Sequence, residues 1–183
     1  MENPKPHYIG TLSPEMALLG QLFGSLGHGY DLHRRVVSDL GHVWHLSQSQ
    51  AYAILKRLET QGEISKEEIS QEKLPSRQVL KMTNKGRERF LSWLDTPSGG
   101  STRAIRLEFV TRLYFLNQYF PEKIAQAFDQ QRSEAKTHIR RLEEMREHLP
   151  DNQIYNRMSL DMRLEQLKAV LDWLDKCQKY FWP

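Results

Sequence analysis

With 183 residues, 39% of them apolar and 27% charged, the chain has room for one ordinary domain or two small ones and enough apolar material to argue against general disorder. No apolar run approaches the roughly 20 residues of a membrane span, and the opening MENPKPHYIG has neither a cationic nor an apolar signal region, so a cytoplasmic protein away from the membrane is expected. The single cysteine, Cys177, excludes an internal disulfide and a Cys-rich zinc site; it reads as a reactive thiol near a helix end or, more simply, as a small apolar residue on a packed helix.

The net charge of +3 identifies no partner, but its distribution is uneven. Lys73, Arg77, Lys81, Lys85, Arg87 and Arg89 face only Glu88 in their stretch, whereas Glu63, Glu67, Glu68 and Glu72 precede them against Lys66. Such a basic run is either a solvated face or a ridge for phosphate contact.

In chain order, the first predicted helix opens at Ser13-Pro14-Glu15, with Ser13 as cap and Pro14 at the first helical position, and continues through Leu18, Leu19, Leu22 and Phe23. The glycines from Gly24 to Gly29 break it. A second helix runs through Tyr30, Leu32, His33, Val36, Val37 and Leu40, with Gly41 placed for a left-handed terminal cap. Val43 to Leu46 suits a short strand or an extended connection. Ser47 and Gln50 have the capping-box spacing, opening a third helix with Ala51, Ile54, Leu55 and Leu58 inward and Gln48, Ser49, Tyr52, Lys56 and Glu59 outward.

Residues 63–70 and 78–82 alternate loosely around a polar, basic tip at 71–77, which predicts a two-stranded hairpin. Thr83 caps a further helix carrying Phe90, Leu91, Trp93 and Leu94. The composition of Thr96 to Ser101 marks a linker. These signals divide the chain into residues 1–95, a linker at 96–104, and a helical unit at 105–183. In the last, residues 103–117 are apolar over a wide face, which requires burial on more than one side. From Pro121, a helix about 40 Å long at 1.5 Å per residue places Phe128, Gln131, Ala135, His138, Leu142, Met145 and Leu149 in heptad steps. A final helix repeats the seam with Leu160, Leu164, Leu167, Leu171, Leu174, Gln178 and Phe181.

Three helices, a hairpin and a helix make a mostly α winged helix-turn-helix arrangement, followed by a helical coiled-coil unit. Such a domain sets its third helix in the major groove. Gln48, Ser49 and Gln50 lie at the tip that reaches base edges, where Gln suits adenine and Ser several bases; Tyr52, Lys56 and Arg57 are placed for phosphate or sugar. Lys73 and Arg77 belong to the wing, which follows the backbone or enters the minor groove. His28 and Tyr30 mark the start of the second helix, whose free N–H groups suit a phosphate, although a turn histidine without a ligand is an equal reading. Each residue alone is also compatible with a solvated surface.

At this point the sequence resembles the PadR-like regulators. The resemblance rests on Leu12-Ser13-Pro14, His28-Gly29-Tyr30-Asp31-Leu32, the run from Val43 to Tyr52, Leu55-Lys56-Arg57-Leu58-Glu59, Gly62, Thr83-Asn84-Lys85-Gly86 and Arg106-Leu107-Glu108-Phe109. It spans residues 12 to 116, and the helical remainder looks like the dimerisation unit of the family's larger subgroup. It implies a homodimeric repressor whose affinity for DNA often falls when a small effector binds. Glu63 departs from the apolar residue usual after the glycine, and Gln78-Val79 replace the usual basic and aromatic wing residues.

Dimerisation also follows from length, because two long amphipathic helices outrun the surface available within so short a chain. Phe128, Leu142, Leu149, Leu164, Leu167, Leu171 and Leu174 are its expected contacts, and two-fold symmetry calls for double-stranded DNA with an inverted-repeat operator. Trp93, Tyr114 and Phe115 form either a cleft for a small aromatic or apolar effector or plain core. A protein-interaction scaffold using the winged helix and coiled coil is the alternative function. No nucleotide-binding glycine pattern, G-x-S-x-G or H-E-x-x-H occurs, and the scattered histidines favour no metal site, so neither catalysis nor a cofactor is expected.

Overall fold

The computed structural model describes residues 12–71 and 74–182, with side chains described outside 68–78. The first helix, α1 (Glu15–Gly20), begins one residue later than predicted. Its cap position is Pro14, whose carbonyl accepts from Leu18 N–H at 3.1 Å, and no side chain caps it. Ser13 is therefore not the cap: the proline's fixed φ already sets the entry. Helix α2 (Gly29–Leu40) buries Leu32, Val36 and Leu40. Gly41 is right-handed at φ −64°, against expectation. The helix ends in another way, with Val43 and Trp44 N–H groups both on the Leu40 carbonyl at 2.9 and 2.7 Å, so no left-handed residue is needed. An extended connection leads to α3 (Gln48–Thr60).

Helix α3 starts with the predicted capping box. Gln50 N–H donates to the Ser47 hydroxyl at 3.3 Å, and Ser47 N–H donates to Gln50 Oε1 at 3.0 Å. It ends where Gly62 takes φ 70°. Glu63 N–H then reaches the Leu58 carbonyl at 2.9 Å and Gly62 N–H the Glu59 carbonyl at 2.9 Å, a Schellman closure. A Cβ at Gly62 would meet nothing within 4 Å, so the requirement is conformational alone. Gly62→Ala is expected to cost about 1–2 kcal/mol, the penalty of a left-handed L-residue, as chemical denaturation will measure. Strands β1 (Ile64–Gln71) and β2 (Leu74–Met82) form an antiparallel ribbon pairing Ile64 with Met82, Lys66 with Leu80 and Ile69 with Arg77. Arg77 thus lies in the ladder and not in the hairpin tip; an edge strand accommodates Pro75, so β2 extends further than the alternation suggested. Gly27, between α1 and α2, bridges to Leu80 through both backbone bonds, at 3.1 and 2.8 Å.

Thr83 caps α4 (Asn84–Leu94), its hydroxyl accepting from Gly86 N–H at 3.2 Å. The segment that follows is not a free tether. Ser98 is 1% exposed, and the Gln131 amide pairs with both its N–H, at 2.9 Å, and its carbonyl, at 3.1 Å. The Gly100 backbone lies so close on the His138 ring that a Cβ there would collide. Residues 102–104, expected in the linker, are already helical. They form α5 (Thr102–Ala104), which continues through a π turn (Ile105–Phe109) into α6 (Val110–Tyr119). A 3₁₀ turn at Pro121–Lys123 leads into α7 (Ile124–Glu147), and α8 (Ile154–Gln178) returns beside it.

The heptad seam exists, but it closes within the chain. Phe128, Gln131, Ala135 and Leu142 of α7 are buried, and so are Leu160, Leu164, Leu167, Leu174 and Cys177 of α8. Leu149 and Leu171 are half-buried. Arg132 with Asp175, at 3.0 Å, and Arg146 with Asp161 tie the two helices along their length. The buried leucines expected to meet a second subunit have partners within the chain, because an antiparallel hairpin sets each helix against the other. Burial raises the Cys177 thiol above its ordinary value, which agrees with a packing role. Among the described residues, no helix is long and apolar enough to cross a membrane.

Candidate nucleic-acid interface

The capping box fixes where α3 begins, and two anchors fix its direction. His33 of α2 bonds to the Leu46 carbonyl at 2.9 Å, and Trp44 Nε1–H donates to the buried Thr111 hydroxyl of α6 at 2.7 Å. Ala51, Ile54, Leu55 and Leu58 seat the inner face. Gln48, Ser49, Tyr52, Ala53 and Lys56 are left on the exposed side, a short polar tip followed by a small residue and a cation. Ala53 was missed by reasoning on polarity; its place opposite the buried stripe marks it, and a methyl there suits contact with a thymine methyl. Gln50 is exposed but spends Oε1 on the capping box, leaving its amide nitrogen as the group with reach.

Other predicted contacts are placed differently. Arg57 points along the flank of α3 to Glu15 of α1, at 2.8 Å, instead of outward. Tyr30 is exposed on α2, and Tyr52 packs near Gly29 at its start, so the two tyrosines flank the same edge. His28 is the N-cap of α2 without a side-chain cap bond. Lys73 and the Arg77 side chain lie outside the described residues.

Four of the six basic residues of this run, Lys81, Lys85, Arg87 and Arg89, make contacts within the chain. Lys81 pairs with Glu67 at 3.4 Å, Lys85 donates to the Gln61 carbonyl at 2.7 Å, and Arg87 covers the Phe23 ring at 4.5 Å. Arg89 bridges Glu15, at 2.6 Å, and Glu63. This explains Glu63. The carboxylate is buried and has a cation held against it by α4, so the departure from an apolar residue is matched by Arg89. At Glu15, burial works to raise the carboxyl, but hydrogen bonds from Arg89 and Arg57 outweigh it and hold the group below its ordinary value.

The π turn and α6 carry the winged helix onto the helical hairpin. Tyr114 donates to Asp39 of α2 at 2.6 Å. Buried Arg112 donates to the Trp93 carbonyl at 3.1 Å and the Ser98 hydroxyl at 3.2 Å. Its burial, partly offset by Glu108 and Asp95, pulls the guanidinium down to about 10, so it stays charged at neutral pH. Of the two readings of Trp93, Tyr114 and Phe115, a cleft or plain packing, the structure shows packing. Phe115 is fully buried edge-on to Phe90 at 5.2 Å, and Trp93 stacks on Phe90 at 5.9 Å. Phe115 is core and half-buried Trp93 and Tyr114 pack against it, through the mutual packing of aromatic edges and faces. No cluster of three or more metal-ligating side chains occurs among the described residues.

The sequence profile of the transcriptional regulator PadR-like family matches residues 18–92, from α1 to α4, and that of the virulence activator alpha C-terminal region matches residues 105–181. Residues 18–92 thus form a domain of the PadR-like family of transcriptional regulators. Similar solved structures include PadR of Bacillus subtilis in complex with operator DNA, 24% identical over 91% of this chain and 98% of that one, with a TM-score of 0.42. A PadR-like regulator of Bacillus cereus is 24% identical over 94% and 98%, with a TM-score of 0.45. The virulence activator AphA of Vibrio cholerae is 22% identical over 90% and 95%, with a TM-score of 0.41. No curated protein matches the chain. The PadR-like family is one of DNA-binding transcriptional regulators and not of enzymes.

Proposed function

We propose that this regulator is a homodimeric repressor that places the tips of two α3 helices in successive major grooves of an inverted-repeat operator. The observation that carries this reading is the outer face of α3: a capped, rigidly seated helix whose exposed tip is polar and whose inner face is wholly buried. Two-fold pairing would set the half-site centres about 10 bp apart, or a multiple of that. Gln48, Ser49 and the free amide of Gln50 read base edges, Tyr52 and Lys56 contact sugar and phosphate, and Lys73 and Arg77 act from the wing. His28 and Tyr30 approach a phosphate at the start of α2.

Residues 105–183 serve as the dimerisation unit in this reading, but through a face other than the filled seam. Ile154, Met158 and Met162 follow one another at steps of four on α8 with exposures of 60, 63 and 63%, beside Tyr155 at 87%. Three large apolar side chains in line on one helix call for a cover, and a second subunit supplies it. Release by a small aromatic or apolar effector, bound elsewhere than at the packed Trp93, Tyr114 and Phe115, completes the reading.

Footprinting on the DNA flanking the protein's own gene tests it: a protected palindrome supports the repressor, and uniform, unprotected DNA opposes it. Replacing Gln48 or Ser49 by alanine is expected to relax base preference at one position per half-site by about 1–3 kcal/mol, read by competition between operator variants. An equal loss on all sequences would mean that these side chains do not read bases.

A further inference from the structure

Resting on the DNA-binding reading, we propose that Arg34 on α2 is a principal phosphate anchor, and that much of the electrostatic attraction comes from α2 and α3 instead of the basic run near the wing. Lys66 pairs with Glu59 at 2.9 Å, Lys81 with Glu67, and Arg57 and Arg89 with Glu15, while Lys85 and Arg87 are bound to a helix end and a phenyl ring. A cation already neutralised by a carboxylate has little net charge to offer a phosphate.

Among the described side chains of the winged helix, Arg34, Arg35 and Lys56 remain without an ion pair or hydrogen bond to another described side chain. They do not point the same way. Arg35 shares its side of α2 with Asp39, which holds Tyr114 of α6, and its charge acts on Tyr119. Arg34 lies four residues after Tyr30 and three before Val37, both exposed, on the opposite flank. That flank runs on to a depression of about 410 Å³ lined by Val37, Trp44, His45, Leu46, Ser47 and Gln50, at the very start of α3. Arg34 therefore stands beside the helix that enters the groove, at the position from which the preceding helix of such a motif crosses the backbone.

The test compares Arg34→Gln, Arg34→Lys and Lys81→Gln in the full chain, using a mixed-sequence duplex and the operator obtained by selection from random duplex DNA. Arg34→Gln is expected to weaken binding to both by about tenfold and to flatten the dependence of log K on log salt by about 0.9 for each phosphate that is no longer neutralised. Arg34→Lys should keep the slope, and so should Lys81→Gln. An unchanged slope in Arg34→Gln overturns the inference, as does a weakening confined to the operator, which would make Arg34 a base reader. Failure of the unsubstituted protein to bind either duplex would instead remove the DNA-binding reading itself. Arg34 is exposed, so an unchanged thermal unfolding curve verifies that the variant is folded.

Discussion

In the proposed dimer, Met158→Glu combined with Met162→Glu is expected to separate the subunits and to lower operator affinity by about 10²–10⁴-fold, the advantage forfeited when two linked half-sites must be bound separately. Both side chains are 63% exposed in the single chain and sit on the side of α8 away from Leu160, Leu164 and Leu167. A glutamate there meets water in the monomer, so the fold of one subunit should be untouched. In a dimer, the same carboxylates would be driven into an apolar contact without partners, and an unpaired buried charge is among the costliest things an interface can hold. Sedimentation of the double variant beside the parent reads the first effect and a gel shift the second. A variant that still sediments as a dimer would put the interface elsewhere. Leu164→Ala makes the contrast: it should reduce stability by about 2–5 kcal/mol through a cavity in the seam, because Leu164 is already buried within its own chain.

Arg89→Ala is expected to destabilise the winged helix by about 2–4 kcal/mol, below the range for a fully buried pair because Arg89 is itself 37% exposed. Its removal leaves Glu63, with a side chain only 6% exposed, without its cation and leaves Glu15 with Arg57 alone. Arg57→Ala should cost less, since Arg57 is half-exposed and Glu15 keeps Arg89. The same network sets the response to acid. Glu15 is held below its ordinary value of 4.5, so its contribution is complete above that value and is lost as pH falls through the lower, folded one. Glu108 has the opposite sign. Burial raises it, with Arg112 opposing in part, so its cost is present at neutral pH and is relieved on acidification before the Glu15 contribution goes. Denaturant midpoints measured from neutral pH downward should therefore hold or rise slightly and then fall below about pH 4.5. In Arg89→Ala the final fall should be shallower; an equally steep fall would show that the network does not govern it.

Local chemistry was the legible part of this protein. The capping box of Ser47 and Gln50, the Thr83 cap and the 3.6-residue stripes of α2, α3 and α4 follow from neighbours a few residues apart, so they could be read without knowing what packs where. The misreadings have a common cause. A serine before a proline, a glycine after a helix and a proline in a strand each have two local solutions, and the choice at Ser13, Gly41 and Pro75 was made by neighbouring backbone. Thr96 to Ser101 has the composition of a tether, yet Gln131, from 33 positions along the chain, binds both backbone groups of Ser98. Gln131 itself stands among the heptad positions of the predicted seam.

What the sequence determined by itself was the order of elements, the identity of the helix proposed to read DNA and the PadR-like character of the winged helix. These depend on periodicity and on short-range hydrogen bonding, which the chain carries in every segment. Only the tertiary structure decided which charges are free and which apolar faces are covered. A cation looks the same in a string of letters whether or not a carboxylate lies against it, as at Arg57, Lys81 and Arg89, and a leucine seam looks the same whether its partner is another helix of the chain or another subunit. Free charge and unpaired surface are differences between one group and its surroundings, and those surroundings exist only after the chain has folded.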